Sequence, residues 1–310
     1  ALAALSTHAW LLNARFAHED LRVKIPIMYQ EDGKRIVYFT YSSCYPKEGE
    51  AQKMADTLSV LELLGIFIDE VYVIHLNPDY VRGEQLDVRA LLIITEHLYN
   101  SKNHEGKLIK DLIASHRRDI LPLLEDLRSC EAREDVAIVR SNACTRGVKC
   151  PYFDECFPEK PDHTSILNLV QSCHKYAMKE EGIEDIKDVD VERIEGTRHQ
   201  YAQIMAAKYG RYVDQAALRC WLKEHIHYPI SYLDFEWETY AYPPYKGLKP
   251  FDVVCFEYSL HVEQANQKDL THHCFIETGD CRIAFIESLL KHVPATGTIL
   301  VYNMEGAEKL

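Results

Sequence analysis

Hydrophobic and polar positions in the first eighty residues follow the pattern of an α/β unit. Residues 21–30 and 35–43 are two apolar, strand-like runs, and the Asp32-Gly33 pair between them is typical of a tight hairpin turn. Residues 48–64 have apolar positions at helical spacing, namely Ala51, Ala55, Leu58 and Leu61, before a stop at Gly65. Residues 70–77 form another short apolar run. The pattern therefore predicts strand, strand, helix, strand.

The middle of the chain is less regular. Residues 108–128 have a helical pattern that Pro122 should bend or interrupt, because proline lacks the amide hydrogen a helix interior needs. Residues 144–163 are rich in cysteine and proline and predict an irregular segment. Residues 165–222 are charged and helical, with a break at 180–190. We expect small helices that connect two domains.

The last third predicts a second α/β unit. Strand patterns cover residues 231–238, 252–262 and 270–277, an amphipathic helix covers 280–293, and a further strand covers 297–303, with a helix starting near Glu305. Three consecutive strands followed by a helix and a strand are the order of a ribonuclease H-like fold.

Carboxylates interrupt the first of these strands in the sequence "SYLDFEWETYAYPPYKG". Asp234 and Glu236 project to one side because residues i and i+2 of a strand share a face, and Glu238 follows them. Two neighbouring carboxylates repel each other unless a cation lies between them, and Mg²⁺ or Mn²⁺ prefer oxygen ligands. Two such ions can hydrolyse a phosphodiester. The alternative is a half-exposed strand with a polar face.

The segments "YLDFEWETYAYPPYKGLKPF", "EYSLHV", "DCRIAFIESLL" and "LVYNMEGAEKL" resemble an uncharacterised prokaryotic domain family related to DEDD (DnaQ-like) 3′→5′ exonucleases. The resemblance implies that Asp234 and Glu236 form the first exonuclease motif and that Glu308 stands in the second. Glu308 departs from the usual pattern, since it is not an aspartate and lies five residues after Asn303. The third motif would lie downstream of Leu310.

In that family the domain usually follows a RecB-like PD-(D/E)xK nuclease domain, and the first α/β unit resembles its core. The resemblance implies metal-binding Asp, Glu-x-Lys and Gln positions, but the matching residues here are Pro26, Phe39, Tyr41 and Thr57. Such side chains do not bind Mg²⁺. We expect a catalytically inactive nuclease fold that either binds nucleic acid or a partner, or serves only as support.

One group of cysteines is regularly spaced. Cys144, Cys150 and Cys156 in "CTRGVKCPYFDEC" form a C-x5-C-x5-C pattern, looser than usual zinc sites. The segment resembles the carboxyl-terminal triplet of iron–sulfur RecB-like nucleases, which implies a 4Fe–4S cluster. Its fourth ligand is not identified in this chain. The alternative is three reduced thiols in a loop.

Composition limits the kind of partner. The net charge of −13 argues against nonspecific nucleic-acid binding through a broad basic surface, although a local groove with bound metal ions remains compatible with it. No apolar run approaches the ~20 residues that span a bilayer, so we expect no membrane association. Scattered cysteines without secreted-type spacing predict a reduced, cytoplasmic protein.

Together these patterns predict an α/β protein with a degenerate PD-(D/E)xK nuclease-like domain at residues 1–163, a helical connector at 164–228 and a ribonuclease H-like domain with a mixed sheet at 229–310. The predicted function is a metal-dependent 3′→5′ exonuclease acting on single-stranded DNA or RNA, with Mg²⁺ or Mn²⁺ at Asp234, Glu236 and Glu308. The alternative is a noncatalytic nucleic-acid-binding or scaffold protein of a repair or defence complex, and a third class is a purely structural interaction protein that binds no divalent ion.

Overall fold

The computed structural model describes residues 1–134, 137–145, 148–194, 197–266 and 269–302. Its helices are α1 (Leu2–Leu5), α2 (Ala51–Leu63), α3 (Val88–Leu91), α4 (Ile109–His116), α5 (Ile120–Glu131), α6 (Phe153–Cys156), α7 (Lys175–Glu180), α8 (Arg198–Tyr209), α9 (Gln215–His225) and α10 (Arg282–His292). Its strands are β1 (Trp10–His18), β2 (Leu21–Glu31), β3 (Lys34–Thr40), β4 (Glu70–Leu76), β5 (Leu92–Thr95), β6 (His97–Tyr99), β7 (Glu105–Leu108), β8 (Ile230–Thr239), β9 (Val253–Glu263), β10 (Thr271–Ile276) and β11 (Thr298–Leu300).

The chain divides into two compact units. The first combines residues 1–129 with residues 227–310, and the second consists of residues 130–226. The boundaries predicted from the sequence, after residues 163 and 228, remain predictions. The protein is a mixed α/β structure with mixed sheets, as the sequence pattern predicts.

The amino-terminal sheet has the order β1-β2-β3-β4-β5. Strands β1 to β3 are antiparallel, β4 is parallel to β3, and β5 returns antiparallel to β4. The predicted hairpin turn is confirmed: Asp32 and Gly33 both have positive φ, at 49° and 82°, as a two-residue type I′ turn requires.

Helix α2 supplies one side of the core against this sheet. Its buried side chains include Met54, Ala55, Leu58 and Leu61, which pack with Ile25, Met28, Val37 and Val73 of the strands. The helix ends where predicted, because Gly65 has a φ of 73° that side-chain-bearing residues rarely adopt. Periodicity was therefore a sufficient signal for this element.

Several details differ from the sequence prediction, which also gives no helix for α1 or α3 and no strand for β5, β6 or β7. The pattern does not predict β1, whose alternation of buried and exposed residues is broken at Asn13, a residue with φ of 52°. The helix expected over 108–128 is interrupted before Pro122 rather than at it, since α4 ends at His116 and α5 begins at Ile120. Pro122 lies in the first turn of α5, where its missing amide hydrogen breaks no hydrogen bond.

The carboxyl-terminal sheet has the order β10-β9-β8-β11. Strands β8, β9 and β10 form an antiparallel meander, and β11 lies parallel to β8 after the α10 crossover. Helix α10 covers one face through Phe285, which packs with Leu233, Tyr258 and Leu260. The predicted three strands, helix and strand are thus present, while the helix expected near Glu305 lies outside the described residues.

Backbone hydrogen bonds join the loop after β4 to the loop after β8 within the first unit. The Arg82 amide donates to the Leu248 carbonyl at 2.9 Å, and the Gly247 amide donates to the Arg82 carbonyl at 2.8 Å. The Arg82 guanidinium also donates to the Pro243 carbonyl at 2.8 Å. The segment that follows the carboxylate strand is therefore fixed against the loop that follows β4.

The second unit consists of short helices and turns around a small apolar core. That core contains Ile166, Leu169, Met178, Ile186, Val189 and Ile204. Helices α7 to α9 lie in the segment predicted to be charged and helical, while the four-residue α6 lies in the segment predicted to be irregular. Within the described ranges of both units, no helix has the length and apolarity needed to cross a membrane.

Candidate functional site

The predicted carboxylate strand is β8, an interior strand of the carboxyl-terminal sheet. Asp234 pairs with Ser259 of β9, and Glu236 pairs with Glu257. Both carboxylates are exposed, and neither makes a hydrogen bond or ion pair with the described part of the chain. Asp234 and Glu236 thus lie together on one face of the sheet, as the i, i+2 spacing predicts.

Alternation along β8 explains why this face is open. Leu233 and Phe235 point to the opposite side, where they pack with Tyr258, Leu260 and Phe285 beneath α10. The apolar residues of β8 therefore anchor the strand on the helix, and the intervening carboxylates must face away from that core.

A pocket of about 320 Å³ opens on the same face. Its lining includes Tyr232, Asp234, Ser259, His261 and Leu300. Asp234 is the carboxylate in this lining, whereas Glu236 lies two residues further along the strand. The pocket therefore presents a carboxylate oxygen beside a hydroxyl group and an imidazole.

The open face extends onto β10 through two histidine side chains, His261 of β9 and His272 of β10. The rings of His261 and His272 stack with their centroids 4.3 Å apart, and His272 Nε2 lies 3.4 Å from Ser259 Oγ. His261 is Tyr232's pairing partner in the sheet. This row of aromatic and imidazole side chains borders the row that contains Asp234 and Ser259.

A second pair of histidines lies on the helix-covered side. His273 and His292 stack at 4.2 Å, and Tyr258 Oη lies 3.1 Å from His292 Nδ1 and 2.7 Å from Ser288 Oγ. Burial, followed by the neighbouring His292, lowers the pKa of His273. These groups tie α10 to the sheet and do not reach the carboxylate face.

Glu238, the third acid of β8, differs from Asp234 and Glu236 because its carboxylate is hydrogen-bonded within the chain. The pairing of β8 with β9 shifts register after Glu236, and Glu238 accepts a hydrogen bond from the Tyr240 hydroxyl. Asp234 and Glu236 therefore remain the two carboxylates of β8 that are available to a ligand.

Sequence reasoning missed Glu257. It stands directly opposite Glu236, so the open face carries an additional acid from the neighbouring strand. Only the register of β8 against β9 shows that Glu236 and Glu257 face each other. The number of residues between them in the sequence does not determine which residues of the two strands pair.

The open face of the carboxyl-terminal sheet carries part of the ligand set that a divalent ion would need. Asp234 and Glu236 supply the oxygen donors that Mg²⁺ and Mn²⁺ prefer. Across the described residues, however, the structure gathers no group of three or more His, Cys, Asp or Glu side chains that could hold a metal. The remaining predicted ligand, Glu308, lies outside those residues.

The cysteine triplet lies in the second unit. The Cys150 amide donates to the Cys144 carbonyl at 2.8 Å, and Cys156 ends helix α6. All three are free thiols, and they belong to no metal-ligand group among the residues described above. As placed, they do not provide a four-thiolate set, so the iron–sulfur cluster stays a prediction.

The positions at which the nuclease resemblance requires metal ligands are packed into the amino-terminal domain. Phe39 is buried in the core, and the Thr57 hydroxyl donates to the Lys53 carbonyl at 2.7 Å. Burial and then the Glu50 carboxylate raise the pKa of Tyr41, which packs against the same core. Pro26 lies within β2, partly buried.

One family model matches the chain, over residues 231–308, and it is described as a domain of unknown function, DUF2779. The match covers about a quarter of the sequence and includes β8 with both of its available carboxylates. No curated protein matches the chain, and no solved structure matches it.

Proposed function

We propose that residues 229–310 form a metal-dependent 3′→5′ exonuclease-type domain acting on single-stranded DNA or RNA. The observation that carries the proposal is the placement of Asp234 and Glu236. They lie side by side on the open face of an interior strand, without a basic partner in the described chain. Exposed, unpaired carboxylates at this spacing are suited to a divalent cation.

Strand order supports the ribonuclease H-like part of the proposal. The three antiparallel strands β8 to β10, the α10 crossover and the parallel β11 follow the order expected of that fold. In this arrangement β8 lies between β9 and β11, so ligands from either neighbour can approach its carboxylates.

In this proposal the side chains on the open face have different roles in binding metal and nucleic acid. Asp234 and Glu236 supply oxygen ligands, while Tyr232 and His261 provide a flat wall beside Asp234 against which a base can pack. A bound divalent ion would activate water and stabilise the leaving oxygen in phosphodiester hydrolysis.

We also propose that the amino-terminal sheet is a PD-(D/E)xK-type nuclease fold without catalytic activity. Its support is the burial of Phe39 and Thr57 at positions where the resemblance implies metal ligands. The domain would then bind nucleic acid or a partner, or support the carboxyl-terminal domain, in a cytoplasmic prokaryotic protein.

A noncatalytic nucleic-acid-binding or scaffold protein is the second candidate. One observation favours it: within the described ranges, no third ligand joins Asp234 and Glu236 in a metal-binding group. A scaffold would use the open face for binding alone, and an iron–sulfur cluster at Cys144, Cys150 and Cys156 would be a structural staple in either case.

Degradation of end-labelled single-stranded DNA and RNA in Mn²⁺ tests the proposal. We expect stepwise loss from the 3′ end by the wild-type chain and none by Asp234→Asn. Glu287→Gln is the matched control, because Glu287 is an exposed acid on α10. Binding of both polymers without degradation, unchanged in Asp234→Asn, would favour the scaffold.

A further inference from the structure

The second unit contains an apolar groove that includes Cys156 in its lining and lies outside the proposed nuclease domain. It has a volume of about 670 Å³, and its apolar lining includes Ile138, Val139, Phe157, Leu167 and Tyr176. Ile138 and Val139 are 62% and 67% exposed. Large aliphatic side chains that remain this exposed beside a groove are typical of a binding surface.

Acidic side chains border this groove. Glu159 and Glu180 line it and make no hydrogen bond or ion pair with the described chain, whereas Glu184 is paired with Lys179 at 2.7 Å. Two basic residues also line the groove: Lys179, in that ion pair, and Arg140, whose guanidinium carbon lies 4.8 Å from the Phe153 ring centre and 5.5 Å from that of Phe157. The lining therefore contains two carboxylates and one guanidinium outside that ion pair, so negative charge predominates at the edge of the groove.

Helix α9 in the same unit presents an apolar face that no described residue of the chain covers. No residue of this helix is buried, and Leu218, Trp221 and Leu222 are 47%, 48% and 43% exposed. Together with His225, whose ring stacks on Trp221 at 5.0 Å, they occupy positions i, i+3, i+4 and i+7, which share one side of a helix.

Basic residues flank that apolar face. Arg219 and Lys223 lie one turn apart, next to Leu222, and neither has an ion-pair partner in the described chain. Helix α9 is thus an apolar stripe with a basic edge, while the groove is an apolar cavity with an acidic edge. The two surfaces are complementary in polarity and in charge.

We propose that this groove receives helix α9 of a second copy of the chain, and that the exchange is reciprocal. Both surfaces belong to every copy, so a two-fold dimer makes the contact twice. An amphipathic helix seated in an apolar groove is a common recognition mode, and Trp221 is the kind of large aromatic anchor that dominates interface energetics. The inference is independent of the proposed nuclease activity.

Sedimentation equilibrium of the full chain, with a reductant because Cys220 is exposed, provides the first test. We expect a dimer in the micromolar range and at least about a tenfold weaker association for Trp221→Glu. The control is Trp10→Glu, since Trp10 is similarly exposed, at 55%, but lies on β1 of the first unit. It should leave the dimer intact.

Charge exchange identifies which surfaces meet. One variant carries Arg219→Glu with Lys223→Glu, and the other carries Glu159→Lys with Glu180→Lys. Each alone should be monomeric, because its helix and the groove of its own partner now have like charges. An equimolar mixture should dimerise, because each helix again meets a groove of opposite charge.

Three results would overturn the proposal. They are a wild-type chain that is monomeric throughout this range, a dimer that Trp10→Glu abolishes and Trp221→Glu does not, and a mixture of the two charge variants that stays monomeric. Circular dichroism of every variant, matched to the wild-type spectrum, separates loss of association from loss of folding.

Discussion

Glu236 lies directly opposite Glu257 across the β8–β9 pair, on the face of the sheet that α10 leaves open. Like charges in facing positions of an antiparallel pair destabilise the sheet. The protein nevertheless places Asp234 next to them on the same face. Such an arrangement is expected where a cation offsets the repulsion.

Neutralising one member of this pair should stabilise the protein when no divalent ion is present. In EDTA and at low salt, we expect Glu257→Gln to raise the free energy of unfolding by about 0.5 kcal/mol. Added salt should shrink the gain because it screens the repulsion. Urea unfolding of Glu257→Gln beside the control Glu287→Gln measures it; equal stabilities of both variants would argue against repulsion at this pair.

Replacing Gly297 should disrupt the connection between β11 and β8. Gly297 has a φ of 106°, and an added Cβ would meet the Pro229 carbonyl oxygen at 2.0 Å. We expect Gly297→Ala to lower the free energy of unfolding by about 2–4 kcal/mol, because of backbone strain and because the adjoining Thr298–Ile230 pair is displaced.

Gly279 is the matched control for that substitution. It also has a positive φ, at 83°, but open space surrounds the position of its missing Cβ. Gly279→Ala should therefore lower the free energy of unfolding by only about 1–2 kcal/mol, since it introduces backbone strain without a steric clash. Thermal or urea unfolding of the two variants gives the comparison, and equal losses would show that the close approach to Pro229 contributes nothing.

The stability of the protein should fall as the pH drops below about 6.5, partly because of His75. This side chain is fully buried, and its Nδ1 lies 2.9 Å from the Leu76 carbonyl. Burial lowers the pKa of His75. The unfolded chain therefore takes up a proton first as the pH falls, and unfolding becomes more favourable.

Substitution of His75 isolates this contribution. His75→Phe should reduce the loss of stability between about pH 7.5 and about pH 5, while His104→Gln, at an exposed position, should leave the loss unchanged. Urea unfolding at both pH values provides the measurement. A pH dependence identical in wild type and His75→Phe would assign the effect to other groups, such as His273.

Phe39 should matter for folding and not for catalysis. Phe39 is 7% exposed within the core, so Phe39→Ala should lower the free energy of unfolding by about 3–4 kcal/mol. Phe67 is 65% exposed, and Phe67→Ala should lower it by less than about 0.5 kcal/mol. The proposed nuclease activity, measured per folded molecule, should be unchanged in Phe39→Ala. Loss of activity in a variant that remains folded would contradict an inactive amino-terminal domain.

Local sequence signals predicted much of this fold. The Asp32-Gly33 turn, the α2 stripe ending at Gly65 and the strand pattern of β8 are each determined by neighbours along the chain, and the structure confirms all three. The i, i+2 rule likewise placed Asp234 and Glu236 on one face without knowledge of the sheet.

Features that depend on long-range pairing were not accessible in this way. The opposition of Glu236 and Glu257 follows from register across the sheet, and the attachment of Arg82 to Leu248 joins segments more than 160 residues apart. Strand β1 was missed because Asn13 breaks its alternation. The exposed stripe of α9 has a normal amphipathic pattern, so only the structure shows that nothing in the described chain covers it.

Direct titration with Mn²⁺, followed by the loss of the free-ion signal in electron paramagnetic resonance, is the sharpest test of a divalent-ion site at Asp234 and Glu236. We expect saturable binding by the wild-type chain, at least about tenfold weaker binding by Asp234→Asn and by Glu236→Gln, and unchanged binding by Glu287→Gln. Absence of binding by the wild type, or equal affinity in all four proteins, would contradict the proposed metal site.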